Sequence, residues 1–210
     1  CATLPLVAIS TGTNNVFPSM IEGTVAGIAA GQVANGMVDP ESTTTRSSRL
    51  ELLVDGELRD IALVDLAVST ERFVGARAIW DIDTLHEVFL CRADPANIGI
   101  SAIGAQLHPI SLGDPKGLRI RFGKKSESVV APIAPGMVRE VDIESWEILE
   151  PDQEREITLR PGTIALDGER SLSLIGDHDV TVRVSTNGPR VVDVDKALAS
   201  VIGARRAGTT

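Results

Sequence analysis

The chain has 210 residues, 29 of them acidic and 20 basic, which gives a formal charge of −9 at neutral pH; hydrophobic residues make up 43% and aromatics 3%, with no tyrosine. That is enough apolar content for a sizeable globular core, and no apolar run approaches the roughly 18 residues of a membrane span. The acidic balance excludes a phosphate-binding nucleic-acid surface and the scarce aromatics exclude a stacking platform, so the expected partner is a small molecule.

The first residue is Cys1 rather than Met, and Leu4 to Ile9 is too short, and lacks the basic flank, for a secretory signal. The start therefore reads as a cut. Cys1 and Cys91 are the two cysteines, too few for a disulfide framework, which points to a reducing cytoplasm. Leu4-Pro-Leu-Val-Ala-Ile9 reads as a strand, Ser10-Thr-Gly-Thr-Asn-Asn15 as a polar loop, and Pro18 to about Ala34 as a helix. Strand, loop and helix suit a parallel α/β sheet whose other strands are expected upstream. Gly23, Gly27 and Gly31 fall on one helical face, which predicts close backbone packing. Residues 1–36 are thus read as the remnant of an α/β lobe.

From 37 to 188 the pattern changes to short alternating segments: Ser48–Val54, Arg59–Ser69, His86–Arg92, Gly117–Phe122, Ser128–Pro132, Arg139–Leu149, Arg155–Leu159, Thr163–Leu166, Arg170–Ile175 and Asp179–Ser185. Ten short strands at this spacing predict a mainly β domain, an antiparallel β-sandwich. Asp55-Gly56 supplies the positive φ angles of a two-residue hairpin. After the break at Asn187-Gly-Pro189, Val191 to Ile202 carries a helical pattern that ends at Gly203, so 189–210 is read as a helix and tail.

Three segments carry candidate chemistry. Thr11, Gly12, Thr13, Asn14 and Asn15 follow a strand and precede a helix, where backbone amides and small hydroxyls face phosphate, although the same residue types fill ordinary loops. Ala93 to Ala105 is punctuated by Gly99 and Gly104 and includes Ser101; it admits either a ligand against its backbone or a tight loop. Leu166-Asp-Gly-Glu-Arg170 places Asp167 and Glu169 around a glycine, by default a hairpin turn. His86 and His108 have no nucleophile or metal partner in their vicinity and read as structural, Trp80 and Trp146 as core or interface anchors, and no metal-ligand set is visible.

In this order the segments resemble the superfamily of NAD kinases and diacylglycerol kinases, and most closely its branch of acetoin catabolism X proteins. The resemblance implies an amino-terminal α/β lobe with a Gly-Gly-Asp-Gly-Thr phosphate loop, followed by a β-sandwich lobe. Pro5 to Pro18 is similar to the strand and loop after that phosphate loop; Ala62-Leu-Val-Asp-Leu-Ala-Val68 resembles the strand whose Asn-Glu pair holds NAD; Ile164-Ala-Leu-Asp-Gly-Glu169 resembles the Asp-Gly-Gln or Asp-Gly-Glu strand. It implies an ATP-dependent phosphotransferase acting with Mg²⁺ on NAD or a related hydroxyl-bearing metabolite, Asp65 and Ser101 among the nucleotide contacts, Asp167 and Glu169 as candidate catalytic carboxylates, and a homo-oligomer. No Gly-Gly-Asp-Gly-Thr occurs in the 210 residues, Val64 stands at the Asn position, and Gly99-Ile-Ser-Ala-Ile-Gly104 replaces Thr-Gly-Ser-Thr-Ala-Tyr. The chain alone is therefore expected not to turn over ATP. Glu169 matches the lipid-kinase branch, so a lipid or polyol kinase stands beside NAD kinase, as does a non-catalytic nucleotide-binding regulator of acetoin catabolism.

Overall fold

The computed structural model describes residues 4–12, 16–70 and 82–207. Two compact units form, Cys1–Ser47 with Asn187–Thr210, and Ser48–Thr186. In the first unit, Leu6 and Ile9 make isolated parallel bridges to Val191 and Ser19. Leu6 N–H donates to Arg190 O, and Val192 N–H to Leu6 O, both at 2.9 Å. The partner of this apolar segment thus comes from the carboxy-terminal part of the chain, not from upstream as its pattern suggested. Helix α1 (Gly23–Ala34) starts after Glu22, whose carboxylate accepts from Val25 N–H. It buries Ala26 and Ala29. A Cβ built on Gly23, Gly27 or Gly31 would meet nothing within 4 Å, so the glycine face is open and the expected close packing is not made there. Helix α2 (Pro40–Thr43) has Pro40 in its first turn and is capped by Asp39, which accepts from the Glu41 and Ser42 amides. Strand β1 is Thr44–Arg46.

The second unit is mainly β, and every named strand pair in it is antiparallel. Its strands are β2 (Arg49–Val54), β3 (Glu57–Ala62), β4 (Asp65–Ser69), β5 (Leu85–Leu90), β6 (Gly117–Ala134), β7 (Met137–Leu149), β8 (Arg155–Glu156), β9 (Gly162–Leu166), β10 (Arg170–Leu174) and β11 (Val180–Ser185), with helix α3 (Ile100–Leu107) between β5 and β6. One sheet runs β10-β9-β4-β5-β6-β7, the other β3-β2-β11-β8. Leu50, Leu52, Val182 and Val184 of the second sheet meet Leu66, Val68, Phe89, Ile164 and Leu166 of the first. Period-two alternation sends Ala67, Val88, Leu90 and Ala165 to the opposite face of the larger sheet, under Ala102, Ile103 and Ala105 of α3. The larger sheet is therefore covered on both faces.

Two departures from the sequence pattern matter. Gly117–Phe122 and Ser128–Pro132 belong to one long strand, β6. The run Arg59–Ser69, predicted as one strand, is two: β3 lies in the smaller sheet and β4 in the larger, so the chain changes sheet at Leu63-Val64.

Strand β12 (Arg190–Val192) then pairs with β1, and α4 (Val194–Ala207) completes the first unit. Its core is small: Ala29, Val38, Val192, Val194 and Ala197. The carboxy-terminal helix begins later than its pattern suggested and continues through Gly203. No helix of the described residues is long and apolar enough to cross a membrane.

Candidate functional site

The sheet change at Leu63-Val64 leaves consecutive backbone amides without ladder partners, and Asp167 supplies the acceptor. Its carboxylate takes hydrogen bonds from Leu63 N–H at 3.0 Å, Val64 N–H at 2.8 Å and Asp65 N–H at 3.3 Å. Asp167 can reach them because it opens the β9–β10 turn in the left-handed region, φ 52°, followed by Gly168 at 69°. Asp167 N–H donates to Asp65 O at 3.0 Å. Arg170 fixes the same corner, with Nη1 2.6 Å from Asp60 Oδ1, Nη2 donating to Ile61 O at 2.7 Å, and Nη2 3.5 Å from Asp167 Oδ2. Three amides stabilise the Asp167 anion while burial opposes it, and burial prevails, so its pKa lies above the ordinary carboxyl value.

Asp65 begins β4 opposite Leu90. Its carboxyl has no hydrogen-bond or ion-pair partner among the described residues. Burial first, and the negative charge of Asp167 second, push its pKa up to about 7. Cys91 lies against the same pair: its buried thiol donates to Val64 O at 3.7 Å, and burial together with both carboxylates raises its pKa, which keeps it protonated and unreactive. The corner therefore holds two carboxyls with different duties. Asp167 is committed to backbone amides, and Asp65 is free to exchange a proton near neutral pH.

The other candidates lie as follows. Glu169 is exposed on the β9–β10 turn, its amide bonded to Leu166 O and its side chain unpaired among the described residues. Ser101 is buried in the first turn of α3, where its Oγ accepts from Asp94 N–H at 3.0 Å. Gly104 is a packing residue: a Cβ there would sit 2.4 Å from Leu90 Cδ1. The glycine-punctuated stretch is thus a helix seated on the sheet, and neither Ser101 nor Gly104 presents a surface to a nucleotide. Thr11 and Gly12 are exposed in the first unit, with Ser10 Oγ donating to Gly12 O at 3.0 Å. Thr13, Asn14 and Asn15 lie outside the described residues, as does Trp80. Trp146 is partly exposed on β7 with Nε1 2.6 Å from Glu127 Oε1. The Leu63–Asp65 amide cluster was invisible in the sequence, because Leu63-Val64 contains no turn-forming residue.

The sequence profile of the acetoin catabolism protein X carboxy-terminal domain matches residues 48–187, two thirds of the chain and nearly the span of the second unit. The chain belongs to the acetoin catabolism protein X family. A curated acetoin catabolism protein X from Cupriavidus necator is 39% identical over 201 residues, covering 92% of this chain. The alignment takes in 56% of that relative, so the chain spans little more than half the length of the family member it matches. The Asp65–Asp167 corner lies inside the family domain, while Thr11 and Gly12 precede it.

Proposed function

We propose that the Asp65–Asp167 corner is the acceptor-hydroxyl end of a NAD-kinase-like phosphotransfer site, with Asp65 receiving the hydroxyl proton and Asp167 holding the strand break that positions it. The single observation that carries this reading is the unbonded Asp65 carboxyl beside a second carboxyl whose oxygens are occupied by backbone amides, an environment that pushes the Asp65 pKa up to about 7. A base with a pKa near the working pH is the efficient choice for removing a hydroxyl proton, and environments that push two carboxyls into different roles mark acid–base sites.

Among the described residues no three His, Cys, Asp or Glu side chains converge as a cation would require. The relative's greater length leaves the donor-binding parts, the NAD acceptor, a cytoplasmic setting and the homo-oligomer as parts of the proposal. Glu169 favours the lipid-kinase variant of the same chemistry, because it stands exposed on the turn that Asp167 opens.

The test is phosphoryl transfer by a full-length family member carrying these residues, with ATP and a panel of NAD, lipid and polyol acceptors. Asp65→Asn is expected to lower turnover by about 10²–10⁴-fold with a melting temperature no lower than that of the wild type, and Glu169→Gln to leave turnover within a few-fold. The converse pattern transfers the base role to Glu169. No transfer to any acceptor by the wild type leaves the regulatory alternative.

A further inference from the structure

Between β3 and β10, the edge strands at one flank of the two sheets, the inter-sheet core opens into a cleft of about 680 Å³. Its apolar wall includes Val54, Leu172, Leu174 and Val180, and Leu58 and Ile175 stand at its rim, 53% and 74% exposed. Such a volume is typical of small-ligand sites.

Two of the ionisable groups lining it, Arg59 and Arg160, meet no carboxylate among the described residues. Arg160 Nη1 donates to Ile157 O at 2.9 Å and Leu159 O at 2.8 Å, and Nη2 to His178 O at 2.9 Å. Three of five guanidinium N–H groups are thus held by neutral carbonyls, which fixes the side chain and leaves two donors and the whole charge unspent. Arg160 and Arg59 have no ion pair among the described residues, whereas Arg49, Arg119, Arg155, Arg170, Arg183 and Arg190 each face a carboxylate. Asp55 is occupied within the lining: His178 Nδ1 lies 2.7 Å from its Oδ2, and its Oδ1 accepts from Asp179 N–H at 3.0 Å. That contact holds the Asp55 carboxyl below its ordinary pKa. Glu57 is the remaining acid of the lining. The lining thus holds two arginines and two carboxylates, and one of the carboxylates, Asp55, is already engaged by His178 and the Asp179 amide.

We propose that this cleft binds a small aliphatic carboxylate, its head on the free donors of Arg160 and its chain against Leu58, Leu172 and Ile175. A fixed guanidinium suits a carboxylate. A monoanion suits the one guanidinium that is held in place with donors to spare, while a dianion would meet Glu57 and Asp55. The open core supplies the apolar contact that selects for chain length.

The experiment titrates the 210-residue chain with octanoate, acetate and inorganic phosphate by calorimetry, and follows the His178 ring by NMR. Octanoate is expected to saturate one site, shift the His178 ring signals and bind at least about 10-fold more tightly than acetate, with phosphate weaker than octanoate. Ile175→Asp and Arg59→Ala, both at exposed positions, should weaken octanoate without changing the melting temperature, and Arg160→Met should weaken it at least about 10-fold. If Arg160→Met fails to fold for want of its carbonyl contacts, the two surface variants decide. Octanoate binding no more tightly than acetate, phosphate binding more tightly than octanoate, or unchanged octanoate affinity in both folded surface variants would each overturn the proposal.

Discussion

Asp167 does work in the fold that no neighbouring residue can take over, since three amides point at one carboxylate in a turn with φ 52°. Asn keeps an acceptor oxygen and tolerates the left-handed region, whereas Ala does neither. Asp167→Ala is expected to cost about 2–4 kcal/mol in urea unfolding, through amides left unsatisfied and a strained turn, and Asp167→Asn about 1 kcal/mol or less. Equal losses in the two variants would show that the amides find another acceptor. Asp65 gives the opposite signature. Its folded pKa of about 7 lies above the unfolded value of 3.8, so the folded state binds the proton more tightly. The resulting stability is fully present below about pH 4 and is lost as pH rises through about 7. Asp65→Asn should therefore be more stable than the wild type at pH 8, by about 1–3 kcal/mol given the partial exposure of the group, and the difference should vanish towards pH 4. A stability difference that does not change with pH would return Asp65 to an ordinary surface carboxylate.

At the scale of elements, alternation and turn chemistry made most of the sandwich legible. Asp55-Gly56 forms the two-residue hairpin that its residues demand, with φ 53° and 80°, and eight of the ten predicted segments each correspond closely to a strand, or to part of β6. What the sequence hid was tertiary. Arg59–Ser69 reads as one apolar run because Leu63 and Val64 suit a strand on either side of the break; only the competition between two sheets for the chain divides it. Of the site, Asp65, Asp167 and Glu169 were legible as a motif, but their duties were not, since desolvation and the amide cluster arise only on folding. Gly104 shows the reverse case, a residue that pattern reading offered to a ligand and packing claims. Its missing Cβ lets α3 approach Leu90, which is fully buried and has little room to turn aside. Gly104→Ala should therefore be destabilising by about 1–2 kcal/mol, the overpacking outweighing the gain in helix propensity. A stabilised variant would mean that α3 can lift from the sheet without cost.

For the whole molecule, the decisive feature is that the family domain, residues 48–187, and the second compact unit, Ser48–Thr186, end at nearly the same places. The unit brings its own ends together, because Arg49 pairs with Ser185 at the start of β2 and the end of β11. The first unit does the same at its inner ends, where Arg46 pairs with Arg190 and Ser47 N–H donates to Pro189 O at 2.9 Å. An insertion whose ends meet can be excised without opening a strand, as tolerated domain insertions and permutations require. The cores point the same way. The second unit holds the two large clusters, on either face of its larger sheet, while the cluster of the first has five buried alanines and valines among the described residues, with partly buried residues such as Val33 and Leu198 against it, worth less against the entropy of ordering its two chain segments. A fragment of residues 48–186 is therefore expected to fold alone, unfold in urea as one cooperative transition, and retain both the octanoate site and the pH dependence that Asp65 confers. In the whole chain, amides of α1 should exchange at lower free energy than those of β4, β5 and β9, because the small core opens before the large one. A fragment without a cooperative transition, or uniform exchange across both units, would show instead that the sandwich draws its stability from the segments flanking it.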